Sequence, residues 1–322
     1  MYAHWNLSPL ESLGALRASG RDVIAFLQGQ LSSDVRALTH ERSLLAGYHN
    51  PQGRVLTLLR LFEPAPGEAL AVLPRELVTP VLSRLKTFIL RSKVELADAS
   101  DAWRFEGLIG PATPEPPSPA PGVAALAPPF AARLPRASGA VARLGESFAV
   151  HVGERPPRWL IVSPTAGANG ESALARCTRA PPGQWQRLAI ENGEPQVYAA
   201  TSGEFVAQML NLDVLGAIAF DKGCYTGQEV IARAHYRGRV KRRLQRFSST
   251  GPLPLKPGDA GELADGRTFR VVDAARHADG GCEFLAVAPL PGAEPPAGAR
   301  TDPASAPRLN ATPLPLPYEL PE

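Results

Sequence analysis

The chain has 322 residues, 44% hydrophobic and 20% charged, with a net charge of +3, a length that holds about two domains of ~150 residues or three small ones. That charge is too small to announce a nucleic-acid binder, which normally carries a marked basic face, and no apolar run approaches the ~20 residues that span a bilayer. Residues 1–14 lack the basic-then-apolar pattern of a signal peptide, so a soluble, cytoplasmic protein is expected.

In chain order, Asp22 is placed to cap a helix whose Val23, Phe26, Leu27 and Leu31 fall on one face. Two apolar runs, 44–48 and 55–62, flank Asn50-Pro51-Gln52-Gly53 and read as a hairpin. A strand follows at 69–73, then a helix from Arg75 with the stripe Leu77, Val81, Leu85 and Phe88, then strands at 93–97 and 103–109. Residues 111–121 hold six prolines in eleven positions, the composition of an extended linker or surface loop. Strands resume at 148–152 and 159–162, and a helix is predicted over 171–176. From Val240 strands dominate, with a hairpin turn at Asp265-Gly266 and a Pro-rich tail from Pro289, extended over the surface. Without a regular βαβ rhythm the class is α+β, closing in a small β-barrel.

The segment Lys222-Gly223-Cys224-Tyr225-Thr226-Gly227-Gln228-Glu229 separates an apolar run, 215–220, from the most basic stretch of the chain. The apolar run reads as a buried strand. Thr226 and Glu229 have the spacing of a capping box, which starts a helix at Thr226 and sets Cys224 beside its positive N-terminal end. Gly223 and Gly227 permit a tight turn and close approach to a ligand. With Lys222 adding a full charge, the setting favours a thiolate over the alternative of a small buried Cys. Cys177 and Cys282 lack such a setting, and no Cys-x-x-Cys pair offers a zinc or cluster site.

These residues resemble the signature of the YgfZ family of folate-binding proteins, relatives of the glycine-cleavage T-protein (aminomethyltransferase). Residues 185–193 (WQRLAIENG), 203–212, 232–243, 26–35 (FLQGQLSSDV) and 315–318 extend the resemblance over nearly the whole chain. It implies a T-protein-like multi-domain arrangement around a central site for tetrahydrofolate or another reduced folate. It also implies a link to iron–sulfur enzyme maintenance and tRNA modification, with iron–sulfur enzymes or cluster-assembly proteins as partners. The expected domains are 1–110, 122–238 and 239–322, with the first two possibly interleaved.

On this resemblance Cys224 and Lys222 carry the chemistry. Trp185, Glu191, Gly223, Tyr225, Gly227, Gln228, Glu229, Arg233 and Arg237 are the expected folate contacts. A carboxylate such as Glu191 can accept the side-by-side amino group and N–H of a pterin, and the indole of Trp185 offers a flat face for stacking. Leu13 stands where the family places an aromatic. Thr57 stands where the T-protein has the aspartate that holds the aminomethyl nitrogen, so ordinary aminomethyl transfer is not expected. The basic residues from Arg233 to Arg246 suit either a solvated strand edge or a seat for a folate polyglutamate tail or RNA phosphates. Few interleaved aromatics argue against single-stranded RNA. A folate-binding accessory protein is therefore the first reading, a folate-dependent one-carbon transferase the second, and a direct tRNA-binding module the third.

Overall fold

The computed structural model describes residues 5–111, 130–166, 174, 177–238, 240–250, 255–276, 280–291 and 308–321. The chain divides into two compact units, each assembled from separate stretches. One comprises Met1–Phe26, Val35–Leu45 and Leu59–Trp185, the other Leu27–Asp34, Ala46–Leu58 and Gln186–Glu322.

The strands are β1 (Asn6–Pro9), β2 (Leu13–Ser19), β3 (Leu44–His49), β4 (Val55–Phe62), β5 (Glu68–Pro74), β6 (Glu95–Asp98), β7 (Trp103–Ile109), β8 (Val141–Leu144) and β9 (Ser147–Glu154). They continue with β10 (Pro157–Pro164), β11 (Thr178–Arg179), β12 (Arg242–Ser249), β13 (Ala260–Leu263), β14 (Thr268–Arg276), β15 (Cys282–Pro289), β16 (Arg308–Leu309) and β17 (Ala311–Leu314). Four α-helices are used below: α1 (Val23–Gln28), α2 (Arg75–Lys86), α3 (Gln184–Glu191) and α4 (Gln228–Tyr236). The mixture is α+β and rich in strands.

In the first unit a six-stranded sheet runs β11-β1-β7-β10-β9-β8. Its core joins Phe105, Phe148, Val150, Leu160 and Val162 to Phe62 and Leu70. A five-stranded sheet has the order β3-β4-β5-β2-β6, and the division between the units falls inside β3 and β4. Helix α2 buries Leu77, Val81 and Leu85 of the stripe read from the sequence, and Val78 beside them. Phe88 lies beyond its last turn and is exposed.

In the second unit the C-terminal strands form a curled half-barrel of order β16-β13-β14-β15-β12-β17. Its core is Phe247, Phe269, Phe284 and Val271 with the buried Cys282. The Asp265-Gly266 turn is present, with Gly266 at φ +83° between β13 and β14. The tail is more than a surface strap, because β17 pairs antiparallel with β12 and β16 pairs parallel with β13. Each pairing satisfies backbone groups that an open sheet edge would leave unpaired.

One expectation is corrected. Residues 215–220 form no strand. Instead the Ala217 carbonyl accepts from the hydroxyls of Ser32 and Ser33, and the Ala219 N–H donates to Ser32. Two hydroxyls and the Ser32 carbonyl thus satisfy backbone groups that a sheet ladder would have used. The helix over 171–176 lies outside the described residues except at Leu174, as does the proline-rich stretch beyond Pro111.

Asp273 sits at a register shift in β14 and is buried. Its carboxylate accepts from Gln186 Nε2 at 2.6 Å and from the Tyr198 hydroxyl at 3.0 Å. Burial, opposed by these bonds, pushes its pKa up to about 6. The folded state therefore holds this proton more tightly than the unfolded chain. Stability from this group is greatest below the unfolded value of about 4 and declines as pH rises through about 6, by roughly 3 kcal/mol in total. Asn keeps an acceptor for Gln186 and a donor for Tyr198. Asp273→Asn should therefore gain on the parent in urea midpoint between pH 4 and pH 7.5; a constant difference between the two proteins would contradict this assignment.

Candidate functional site

The site is assembled within the second unit from three short segments: 27–34, the β3–β4 hairpin and 222–229. Lys222 joins the first to the third. Its ammonium donates to the carbonyls of Gln28 at 2.8 Å, Leu31 at 2.6 Å and Ser33 at 2.7 Å. An ammonium has three N–H bonds, and three main-chain oxygens at the end of α1 and in the following turn receive them. The same nitrogen lies 5.0 Å from the centroid of the Tyr225 ring, a cation–π contact. The amine that the sequence sets near Cys224 is also a fastening between two segments nearly 200 residues apart. Ser32 reinforces that junction by accepting from the Gly47 N–H at 2.8 Å while donating to Ala217.

The hairpin joins through two glycines. Gly227 has φ +83° and Gly53 φ +70°. A Cβ on Gly227 would lie 2.5 Å from the Asn50 carbonyl oxygen and 2.9 Å from the Gly53 Cα, while one on Gly53 would lie 2.9 Å from Val230 Cβ. Such distances exclude any side chain at either position. Gly223 differs, since a Cβ there would meet nothing within 4 Å, so neighbouring atoms do not demand a glycine at that position.

Helix α4 begins at Gln228 with Gly227 as its left-handed cap and no side-chain cap bond. The capping box of Thr226 and Glu229 is therefore corrected. The left-handed backbone at Gly227 takes the place of the extended residue that such a box requires. Gln228 does the local work instead, its Oε1 accepting from the Tyr225 N–H at 3.3 Å while its own N–H donates to the Tyr225 carbonyl. Cys224 is exposed, and Glu229 is exposed on the first turn of α4. Among the other cysteines, burial pushes Cys177 up to about 11 and raises Cys282 as well.

Two buried groups line the underside of the loop. The Tyr225 ring is 7% exposed, and burial raises its phenol to about 12. His49, with centroid 6.2 Å from that ring, is fully buried, and neither ring nitrogen has a hydrogen-bond partner among the described residues. Its ring lies over the bare α-carbon of Gly47. Sequence reading missed His49; the available signal was a polar residue closing the apolar run of β3.

The remaining predicted residues separate. Glu191 ends α3 with Arg187 at 3.6 Å, half-exposed. A carboxylate at a helix C-terminus opposes the dipole, which Arg187 one turn earlier offsets. The following turn is held at Gly193, φ +65°, where the Tyr318 hydroxyl donates to its carbonyl at 2.7 Å. Trp185 starts the same helix but belongs to the first unit. There its ring rests on Gly107, where a Cβ would lie 2.2 Å away, and the Arg158 guanidinium sits 5.3 Å from its centroid. Thr57 is fully buried and its hydroxyl donates to the Leu58 carbonyl.

The basic stretch also divides. Arg243 is buried in a bidentate pair with Asp213 at 2.9 and 3.0 Å, Arg246 pairs with Glu283, and Arg242 donates to the Thr268 carbonyl. Arg233 and Arg237 stand exposed on α4. Arg239 lies outside the described residues. Among the described residues no group of three or more His, Cys, Asp or Glu is arranged to hold a metal ion, and no helix is long and apolar enough to cross a membrane.

No protein-family model matches the chain. It is 34% identical over 267 residues to the tRNA-modifying protein YgfZ of Yersinia pseudotuberculosis, covering 82% of this chain and 77% of that one. The YgfZ protein of Serratia proteamaculans is 36% identical over 286 residues, with 85% and 81% covered. Among solved structures, aminomethyltransferase T of the glycine cleavage system from Bartonella henselae superposes with a TM-score of 0.68 at 16% identity, over 89% of this chain and 79% of that one. That likeness speaks for the fold.

The unpartnered imidazole gives a test of the site's packing. Burial holds His49 down to about 3 from an ordinary 6.5. The unfolded chain therefore binds this proton first. The stability associated with neutral His49 is complete above 6.5 and is lost as pH falls toward 3, to the extent of roughly 5 kcal/mol. His49→Leu should be close to neutral at pH 8, since no bond is broken, and should flatten the fall in melting temperature between pH 7 and pH 4. An acid profile identical to the parent's would place the acid sensitivity elsewhere.

Proposed function

Because the chain belongs to the YgfZ family of tRNA-modifying proteins, we propose that it is a folate-binding accessory protein. In this reading it sustains iron–sulfur enzymes, including those that modify tRNA, with Cys224 as its reactive group. The observation that carries the reading is the exposed Cys224 on a loop pinned on both sides. Lys222 is tied to three carbonyls before it, and Tyr225 and Gly227 are wedged in place after it. A nucleophile held on a fixed backbone meets a partner with less entropy to lose than one on a free loop.

The T-protein fold supports a reduced folate as ligand, and Glu191 fits that ligand chemically. It is a half-exposed carboxylate able to accept two parallel N–H bonds from a pterin. Its neighbour Arg187 lies at 3.6 Å. Folate would supply the one-carbon or redox chemistry of its ring, while this chain's residues bind and orient it. Aminomethyl transfer stands outside the reading. Thr57 is sealed in the core and offers no carboxylate to an amine.

Two experiments test the assignment. Calorimetry with tetrahydrofolate should give saturable binding that Glu191→Ala weakens by ~1.5–3 kcal/mol, the worth of a hydrogen bond to a charged group. Equal affinity in parent and variant would remove Glu191 from the site. In residue-resolved alkylation with iodoacetamide at pH 7, Cys224 should react well ahead of Cys177 and Cys282, which burial disfavours as thiolates. Cys224→Ser should lose support of iron–sulfur enzyme activity in cells lacking the native protein while keeping folate affinity. Full complementation by the serine variant would reduce residues 222–229 to a structural turn.

A further inference from the structure

The outer side of α4 carries an aromatic group that the folate reading leaves unused, beside two arginines, Arg233 and Arg237, that the resemblance offered to folate. Phe220 and His235 stack with centroids 3.7 Å apart and planes at 15°, and Tyr236 meets both edge-on at 6.1 and 4.7 Å. Tyr236 is 66% exposed, His235 is exposed and Phe220 half-buried. The three rings thus form one contiguous aromatic surface whose members hold one another in place. Ile231, one turn before His235, is fully buried and fastens that side of the helix.

Arg233 precedes Tyr236 by three residues, so the two share a face of the helix, and Arg237 follows as the exposed residue that ends it. Neither guanidinium has a hydrogen-bond or ion-pair partner among the described residues, whereas Arg243 and Arg246 are committed to Asp213 and Glu283. The nearby acids are Glu229, one turn before Arg233, and Asp221, next to Phe220 in sequence.

We propose that this face docks single-stranded RNA, with Tyr236, His235 and Phe220 stacking on bases and Arg233 and Arg237 contacting phosphates. The combination of π-faces with unpaired arginines is the one that binds single strands without reading sequence. Two arginines beside two carboxylates make a weak electrostatic seat, so stacking supplies most of the affinity. That balance disfavours a polyglutamate tail, which has no bases to stack and would depend on charge alone. The linear sequence argued against RNA for want of aromatics near the arginines. Folding removes the objection, since Phe220 lies outside the basic stretch and returns to it by packing on His235.

The proposal stands apart from the folate assignment, and one set of proteins tests both. Full-length protein is titrated into 5′-fluorescein-labelled dodecauridine and followed by anisotropy at several salt concentrations. Saturable binding is expected, weakened about 5- to 100-fold in Tyr236→Ala, as for loss of one stacked base, and largely retained in Tyr236→Phe. The slope of log affinity against log salt should be shallow, about −1.4 for two phosphate contacts, and Arg233→Gln should remove about 0.7 of it. Tetrahydrofolate binding by Tyr236→Ala, read by calorimetry, should equal the parent's, which separates failure of one reading from failure of the other. Absence of saturable RNA binding, or equal binding by parent and Tyr236→Ala, overturns the proposal. So does a pattern in which the arginine variants lose folate affinity but keep that for RNA.

Discussion

The arrangement of the second unit depends on where one ammonium group has been put. Lys222 could have remained a hydrated surface charge, yet it reaches three main-chain carbonyls at the end of α1 and in the following turn. A helix C-terminus with orphan carbonyls is a natural cation seat, and charge-assisted bonds are stronger than neutral ones. The ammonium therefore satisfies the end of one segment and fixes the start of another. Tyr225, the residue after Cys224, closes over the same cation. The residues on either side of the cysteine are thus set by a contact in which the cysteine takes no part.

Two glycines in contact complete the frame. Gly53 and Gly227 let a hairpin turn and a helix entry approach at backbone distance, and each is held in a conformation that L side chains resist. Neither tolerance is local, because the residue that a side chain on Gly227 would strike belongs to the hairpin, and the reverse holds for Gly53. The two turns behave as one object although 174 positions separate Gly53 from Gly227 in sequence.

The octapeptide, the hairpin, the stripe of α2 and the strand-rich C-terminus were legible because each rests on short-range pattern. What the sequence hid was long-range. Residues 215–220 read as a strand on apolarity, but their backbone partners are the hydroxyls of Ser32 and Ser33, which no local window contains. The capping box at Thr226 had the right residue types. It failed because Gly227, pressed against Gly53, took the left-handed backbone. Lys222 was read by its proximity in sequence to Cys224, while its geometry is governed by Gln28, Leu31 and Ser33. The two units each draw on separated stretches of chain, an arrangement to which local periodicity is blind. Among the basic residues, the arginines that pack on acids and those that face water carry the same sequence signal.

The clasp of Tyr318 on Gly193 bears on the order in which the protein can be made. The turn after Glu191 is closed by a hydroxyl supplied 125 residues later, shared with the Asn211 amide. During synthesis that phenol is still untranslated when Glu191 clears the ribosome. A nascent chain therefore carries this carboxylate on an unfastened turn until residue 318 has emerged. Chains stalled upstream of that point would have most of the strands and none of the latch.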